Sequence, residues 1–338
     1  MMEENRKIVI QKTGVSFREA TEIVAADIPL PAADEVVIRN HFAGVNGVYD
    51  QMMCFDRINH TKLETPANSG VEACGIVTAV GSEVVGIEVG MPVASVVVGN
   101  GYCHYQCCKA EEAVRIPAAT AEVLALIPSG VSALLALERV GEMASGETVC
   151  ISAAAGGLGN IMVQLAVNAG NEVIAICGSD EKSELLKKIG VERVIQYKKE
   201  SVREVIERDY KDKLDLVMES VGGELFDTLL DNLAPFGRLV VCGFTSDRLP
   251  TQSVNQERIY TKLYWKAASV RGYMNYRFSE FAGDARHRLL SMLAAGEISP
   301  LIDSGDFRGL GSVADAVERL LAGDNSGKVI VDLRQIAT

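Results

Sequence analysis

From Glu147 to Phe244 the chain alternates short apolar runs with amphipathic stretches, and this alternation constrains the fold more than any other feature. The runs Glu147–Ile151, Asn171–Cys177, Val191–Tyr197, Asp215–Ser220 and Gly237–Phe244 read as strands. Their near-continuous apolar character is that of strands buried on both faces. Helical patterns lie between them. Leu158, Ile161, Met162, Leu165, Ala166 and Ala169 share one face, and Asp180 to Ile189 is amphipathic and closes on Gly190. Ser201 to Arg208 and the stretch from Gly222-Gly223 to Leu233 follow the same pattern. Strict alternation of strand and helix predicts a parallel, doubly wound sheet. Glu122 to Arg139, rich in Ala and Leu, reads as a helix leading into it.

The turn after the first strand, Ser152-Ala153-Ala154-Ala155-Gly156-Gly157-Leu158-Gly159, passes through small residues into a helix. That geometry presents unsatisfied backbone N–H groups and the positive end of a helix dipole, which suit a pyrophosphate. Taken alone, the pattern also fits an ordinary glycine-rich turn, because alanine stands where the first fingerprint glycine usually falls. Within the strand–helix alternation it predicts dinucleotide binding by Ala155, Gly156, Gly157, Leu158 and Gly159. The second strand ends in Cys177-Gly178-Ser179, with Lys182 one helical turn on, rather than in the acid that holds a ribose 2′-hydroxyl. A hydroxyl, a helix N-terminus and an ammonium attract a 2′-phosphate, so NADP(H) is expected. Asp180 and Glu181 oppose that reading unless they are first-turn acids facing solvent.

Ahead of this region, Lys7 to about Ile127 is strand-rich and punctuated by glycine. Glu35–Asn40, Ala73–Gly81, Met91–Val98 and Ala113–Pro117 read as strands, which suggests a compact β-barrel-type domain. Met52 to Ser69 reads as a long loop. Tyr49-Asp50 fits either an Asx-type turn or a substrate-pocket role. Cys103-His104-Tyr105-Gln106-Cys107-Cys108 carries metal-ligating side chains, but strand alternation sends Cys103 and Cys107 to one face and His104 with Cys108 to the other. Strand cysteines are the better reading, and no metal is expected. A formal charge of −12 argues against nucleic-acid and anionic-membrane surfaces. No apolar run is expected to reach membrane-spanning length. The start, Met1 to Lys7, lacks a signal-peptide core, and the eight cysteines lie mostly in apolar runs. A cytoplasmic setting with reduced thiols is therefore expected.

Several segments together resemble the zinc-free medium-chain dehydrogenase/reductases, among them the prostaglandin, alkenal and quinone reductases. They are Ala153 to Gly159, Cys177 to Ser183, Glu219-Ser220-Val221-Gly222-Gly223, Gly44-Val45-Asn46, Gly70-Val71-Glu72, Asn100 to Tyr105, Ser129 to Ala133 and Asn325-Ser326-Gly327-Lys328-Val329. The resemblance covers most of the chain. It implies an α/β architecture of two domains, a GroES-like β-barrel-type domain and a doubly wound parallel-sheet Rossmann domain. The first would span residues 1–123, completed by 301–338, and the NADP-binding domain residues 124–300. Nicotinamide and substrate would lie in the cleft between them. Zinc-dependent relatives place a cysteine after the early G-V-x segment and a histidine in G-H-E. Gly47-Val48-Tyr49 and Val71 stand there in this chain.

By the same resemblance, Gly156, Gly157 and Gly159 lie along the pyrophosphate with Ser132 nearby, and Ser179, Lys182 and Tyr197 surround the 2′-phosphate. Asn46, Ser220, Cys242, Gly243, Phe244, Met274, Asn275 and Asn325 complete the cofactor set. Tyr197 also fits a strand-end aromatic, Asn325 a turn residue and Phe244 a core residue. The implied reaction is transfer of a hydride from NADPH to the β-carbon of an α,β-unsaturated ketone or aldehyde, with a proton added at the α-carbon. A donor should face the carbonyl oxygen; Tyr276 is the first choice and Tyr49 the second, although Tyr276 equally fits a packing tyrosine. Tyr49, Arg57, Tyr273 and Tyr276 form the expected substrate pocket. The alternatives are an NADPH:quinone oxidoreductase and, in a different class, a non-catalytic NADPH-binding protein. A homodimer is the family-level expectation.

Overall fold

The computed structural model describes residues 4–58, 63–246 and 258–334. The chain divides into two compact units, one of Met1–Pro128 with Ile302–Thr338 and one of Ser129–Leu301.

The first unit is built from antiparallel strands. β1 (Asn5–Ile10), β2 (Thr21–Ala26) and β4 (Ala67–Asn68) form a small sheet in the order β2-β1-β4. The larger sheet is organised by β3 (Glu35–Gly44), which pairs with β5 (Glu72–Val80), β7 (Tyr105–Lys109) and β15 (Ile330–Asp332). β6 (Pro92–Val96) and β8 (Ala113–Arg115) extend it beyond β5. Two bulged register shifts in β3 against β5 bend the sheet. Ile8, Phe17, Ala43, Val45, Met53, Tyr102, Val317 and Val331 pack in one core cluster, so the C-terminal segment shares a core with the start of the chain.

That unit also buries a charged network. Lys328 Nζ lies 2.5 Å from Glu72 Oε1, and their side chains are 4% and 0% exposed. Asn46 bridges the pair, donating through Nδ2 to Glu72 (2.8 Å) and accepting at Oδ1 from Lys328 (3.1 Å). Asp50 lies beyond it, accepting from Tyr102 Oη at 2.7 Å and from the Asn46 N–H at 3.2 Å. Burial pushes the Asp50 carboxyl up to about 6 against these donors and against the Lys328 charge.

The second unit is the predicted doubly wound sheet. β9 (Thr148–Ile151), β10 (Glu172–Cys177), β11 (Arg193–Gln196), β12 (Leu214–Glu219), β13 (Leu233–Val241) and β14 (Ser269–Gly272) are all parallel, in the order β11-β10-β9-β12-β13-β14. Their central residues are buried, as the apolar runs require. Several crossover helices begin on local signals. Gly159–Asn168 follows the small-residue turn. Asp180–Lys188 has Ser179 as N-cap, two acids in its first turn and two lysines in its last, which complement the helix dipole. Val202–Asp209 is capped by Ser201.

Two sequence expectations are corrected. Met52–Cys54 belong to a helix, Gly47–Cys54, rather than to a loop, because Met53 and Cys54 bury against the first core. Ala121–Val140 is a single helical stretch of 20 residues with mean hydropathy 1.7, long and apolar enough to span a membrane by length and composition. Some 72% of its apolar window is buried inside the protein, the environment of a core helix.

Two stability outcomes follow from the buried network. Lys328→Met leaves the Glu72 carboxylate without its cation, which should cost about 3–5 kcal/mol. The deficit is read as the loss in thermal midpoint relative to the unsubstituted protein. Asp50 has a raised pKa when folded, so its contribution is present below its unfolded value of about 4 and lost as pH rises through about 6. The midpoint of the unsubstituted protein should therefore fall more steeply across that window than that of Asp50→Asn; parallel curves would rule this out.

Candidate functional site

In the second unit, every loop carrying predicted cofactor residues leaves the C-terminal end of a parallel strand. Ser152 to Leu158 follows β9, Gly178-Ser179 follows β10, Tyr197 follows β11, Ser220 follows β12, Cys242 to Phe244 follows β13 and Tyr273 to Tyr276 follows β14. The strand order reverses between β9 and β12. A crevice outside the carboxyl ends of the strands, at such a reversal, is where open α/β sheets bind ligands.

Glu219 and Ser152 lock that reversal. The Glu219 carboxylate, fully buried, accepts from Ser152 Oγ (3.1 Å), Val221 N (2.8 Å) and Gly222 N (2.9 Å). Ser152 Oγ in turn accepts from Ser220 N at 2.8 Å. Burial raises the Glu219 pKa and these donors oppose the shift.

The turn itself is shaped by missing side chains. A Cβ on Gly159 would stand 2.4 Å from Ala153 O and 2.8 Å from Ala154 Cα, so only glycine lets the helix start this close to the strand end. Ala153 takes a positive φ of 47°, and its carbonyl accepts from Gly156 N at 2.9 Å. Asn160 Nδ2 holds the carbonyls of Gly156 (2.7 Å) and Gly157 (3.0 Å), while Asn160 Oδ1 accepts from Leu301 N (2.9 Å). With those carbonyls anchored, Ala155 is buried, while Gly156, Gly157 and Leu158 remain half-buried along the loop leading into the helix N-terminus. This cradle fits a pyrophosphate, and a side chain at Gly159 would destroy it.

The 2′-phosphate candidates also converge. The parallel register pairs Cys177 with Gln196, so Gly178 and Tyr197 lie side by side at the strand ends. A Cβ on Gly178 would stand 2.7 Å from Tyr197 Oη, so the phenol rests against a bare backbone. Tyr197 is 56% exposed and is not core. Ser179 Oγ accepts from Lys182 N at 3.2 Å, capping the helix. Cys177 Sγ is buried, pointing at the Ser179 carbonyl at 3.7 Å. Asp180 is held by Lys199 and Gln196. Its acid therefore faces a cation, which removes the main objection to a phosphate at this end.

The remaining residues of this unit border the β13 and β14 ends. Cys242 N donates to Glu219 O (2.7 Å), and burial pushes its thiol up to about 12, so it stays protonated. Gly243 packs against Ser220, and Phe244 is 46% exposed rather than core. Met274 and Tyr276 are each 47% exposed. Asn275 Oδ1 accepts from Tyr276 N at 2.7 Å, and the Arg277 guanidinium lies 4.9 Å from the Tyr276 ring centre. Tyr273 stacks on Phe278 with ring centres 5.3 Å apart. Its buried hydroxyl has no partner at hydrogen-bonding geometry, although Ser132, half-buried in the helix Val131–Leu135, is near enough to oppose the upward pull of burial on its pKa.

In the first unit, Tyr49 lies in the helix Gly47–Cys54 rather than in a turn, and walls a cavity of about 280 Å³. Met53, Ile58, Leu63 and Val98 give that cavity an apolar lining, and Asp56 is its one charged lining side chain among the described residues. Burial and the Asp50 charge raise the Tyr49 pKa, so the phenol remains a proton donor. Arg57 is exposed and outside that wall. Asn46 is committed to Glu72 and Lys328, and Asn325 Nδ2 to Gly327 O at 2.8 Å. Cys103, His104 and Cys108 are buried and Cys107 half-buried; no group of three or more His, Cys, Asp or Glu among the described residues is placed to hold a metal ion.

Sequence reasoning missed Asn160, Glu219 and Lys199 as shapers of the site. Glu219 stood within a quoted motif. Asn160 and Lys199 act across turns and through distant partners, for which a single sequence carries no signal.

Comparison with known proteins identifies the family. The family described as alcohol dehydrogenase GroES-like domain matches residues 32–191, and the one described as zinc-binding dehydrogenase matches residues 157–290. The chain is 36% identical to mouse prostaglandin reductase-3, over 97% of this chain and 89% of that protein. It is 32% identical to a probable quinone oxidoreductase of Leishmania amazonensis, over 97% of this chain and 98% of that one. The structure of mycobacterial Rv1454c complexed with NADPH superposes with a TM-score of 0.83 at 25% identity, covering 97% of this chain and 100% of that one. The chain belongs to the medium-chain dehydrogenase/reductase family.

Proposed function

We propose that this protein is an NADPH-dependent oxidoreductase that reduces the C=C bond of α,β-unsaturated ketones and aldehydes. When bound, NADPH supplies the hydride for the β-carbon, and the α-carbon takes a proton. The observation that supports it most is the cradle at the strand-order reversal, where Gly159 lets the helix start against the Ala153 and Ala154 backbone. Its agreement with mouse prostaglandin reductase-3 over nearly the whole chain points to the acceptor class.

The roles of the residues follow from their positions. Ala155, Gly156, Gly157, Leu158 and Gly159 hold the pyrophosphate at the helix N-terminus. Ser179, Lys182 and Tyr197 hold the 2′-phosphate with a hydroxyl, an ammonium and a phenol. Ser220, Cys242, Gly243, Phe244, Met274 and Asn275 border the nicotinamide end, where a protonated Cys242 adds no competing charge. Negative charge gathers on the carbonyl oxygen as the β-carbon is reduced, and Tyr276 donates to that oxygen. Tyr49, protonated and beside an apolar cavity of its own unit, is the second candidate for that donor. Reduction of a quinone is the second reading, favoured by the Leishmania amazonensis relative and by a cavity lining that suits neutral apolar rings.

NADPH consumption with a bulky enone, a short alkenal and a benzoquinone separates the readings: turnover of the first two is expected, and turnover of the quinone alone would sink the enone assignment. Tyr276→Phe should lower kcat on the order of 100-fold with little change in KM for NADPH, and unchanged turnover would remove its role. The double variant Ser179→Ala, Lys182→Met should raise KM for NADPH about tenfold or more while leaving KM for NADH in place.

A further inference from the structure

We infer that Asp180 and Lys199 act as a charge-compensating pair that sets the preference of this site for the 2′-phosphorylated dinucleotide. The inference rests on the NADP(H) reading above and adds two residues to it. Lys199 Nζ reaches both carboxylate oxygens of Asp180, at 2.5 and 2.6 Å, and Gln196 Nε2 donates to the same carboxylate at 2.7 Å. Gln196 is 8% exposed and fixed by the pairing of β11 with β10, so the carboxylate is held by a buried amide and an exposed ammonium together. The result is a carboxylate at the first position of a helix, one residue after the Ser179 cap, whose charge is met by a cation.

The pair has little to do in stability. Both side chains are well exposed, at 62% and 71%, and exposed ion pairs contribute about 0–1 kcal/mol. Nor does Asp180 need Lys199 to sit at a helix N-terminus, where the dipole already favours an acid. What Lys199 changes is the local potential. Uncompensated, Asp180 would repel a phosphate arriving at Ser179 and the helix N-terminus. Compensated, it becomes the post that holds an ammonium there, and an ammonium has three donors, two of them taken by Asp180. A dinucleotide with a free 2′-hydroxyl brings no such charge and is indifferent to the pair. The lysine is therefore needed for NADPH, and the aspartate penalises NADPH only when the lysine is gone.

The test is fluorescence titration of NADPH and NADH against the full-length protein and its Lys199→Met, Lys199→Arg, Asp180→Asn and Asp180→Asn/Lys199→Met variants. Lys199→Met should weaken NADPH about tenfold and leave NADH within about twofold. Lys199→Arg should keep the preference, and adding Asp180→Asn to Lys199→Met should recover about threefold or more of the lost NADPH affinity. Unfolding midpoints should not move, which separates these effects from folding. The inference is overturned if Lys199→Met leaves the ratio of the two affinities unchanged, or if Asp180→Asn restores nothing in its background. If the unsubstituted protein binds NADH as tightly as NADPH, the NADP(H) reading fails instead, whatever the variants do.

Discussion

The buried carboxylate of Glu219 accepts from Ser152 Oγ and from the N–H groups of Val221 and Gly222, and so ties together the loops of two strands that run on opposite sides of the sheet's reversal point. Parallel strands leave their C-terminal ends ragged, with carbonyls and N–H groups that no ladder satisfies. At most ends water can serve. At the reversal the loops diverge, and something must hold them at a fixed separation if a dinucleotide is to lie across them. A carboxylate suits that task because it accepts from several donors at once, and its burial is tolerable only because those donors are present. The pyrophosphate turn on one side and the Ser220 to Gly222 loop on the other are thus positioned by one ionisable group.

Glycines and carbonyl anchors then set the fine shape. Gly159 allows the helix to start against the Ala153 and Ala154 backbone, and Asn160 turns two loop carbonyls inward. With acceptors withdrawn and donors left at the rim, a chain with a formal charge of −12 can still offer an anion a locally positive surface. Net charge governs long-range encounter; the binding site is governed by a few oriented dipoles and the cations at its edge. The same contrast holds in the first unit, where Lys328 is kept out of water by Glu72 and Asn46 and contributes nothing to the outer field.

The sequence made the second unit legible as far as Phe244 because the strands and helices there carry their own signals, whereas the sixth strand, Ser269–Gly272, lies outside the strands expected from sequence. Apolar runs of strand length, serine caps at Ser179 and Ser201 and the glycine at Gly190 are all local, and the observed elements follow them to within a few residues. Where the structure departs, the deciding contact is remote. Gly47–Cys54 has too weak an apolar stripe to announce a helix, and it forms because Met53 and Cys54 find Val317 and its neighbours from the far end of the chain. The same is true of the side chains that tune the site. Asn160 is oriented by Leu301 and Gln164, and Asp180 by residues on the next strand's exit.

That distinction separates what residue types indicate about a cofactor end from what they leave open about an acceptor end. A phosphate is recognised by backbone N–H groups, small residues and fixed charges, which leave a compact trace in sequence, as in the proposed cofactor segments Gly156 to Gly159 and Gly178 to Lys182. A neutral acceptor offers one polar atom and an apolar body, and the apolar cavity wall described in the first unit is assembled from separate segments: Tyr49 and Met53 on a helix, Leu63 beyond it, and Val98 after β6. No spacing rule links those positions, and an apolar wall accepts many shapes of neutral acceptor. A buried donor left unpaired costs more than a lost apolar contact, so one hydroxyl weighs more in selecting an acceptor than any part of such a wall.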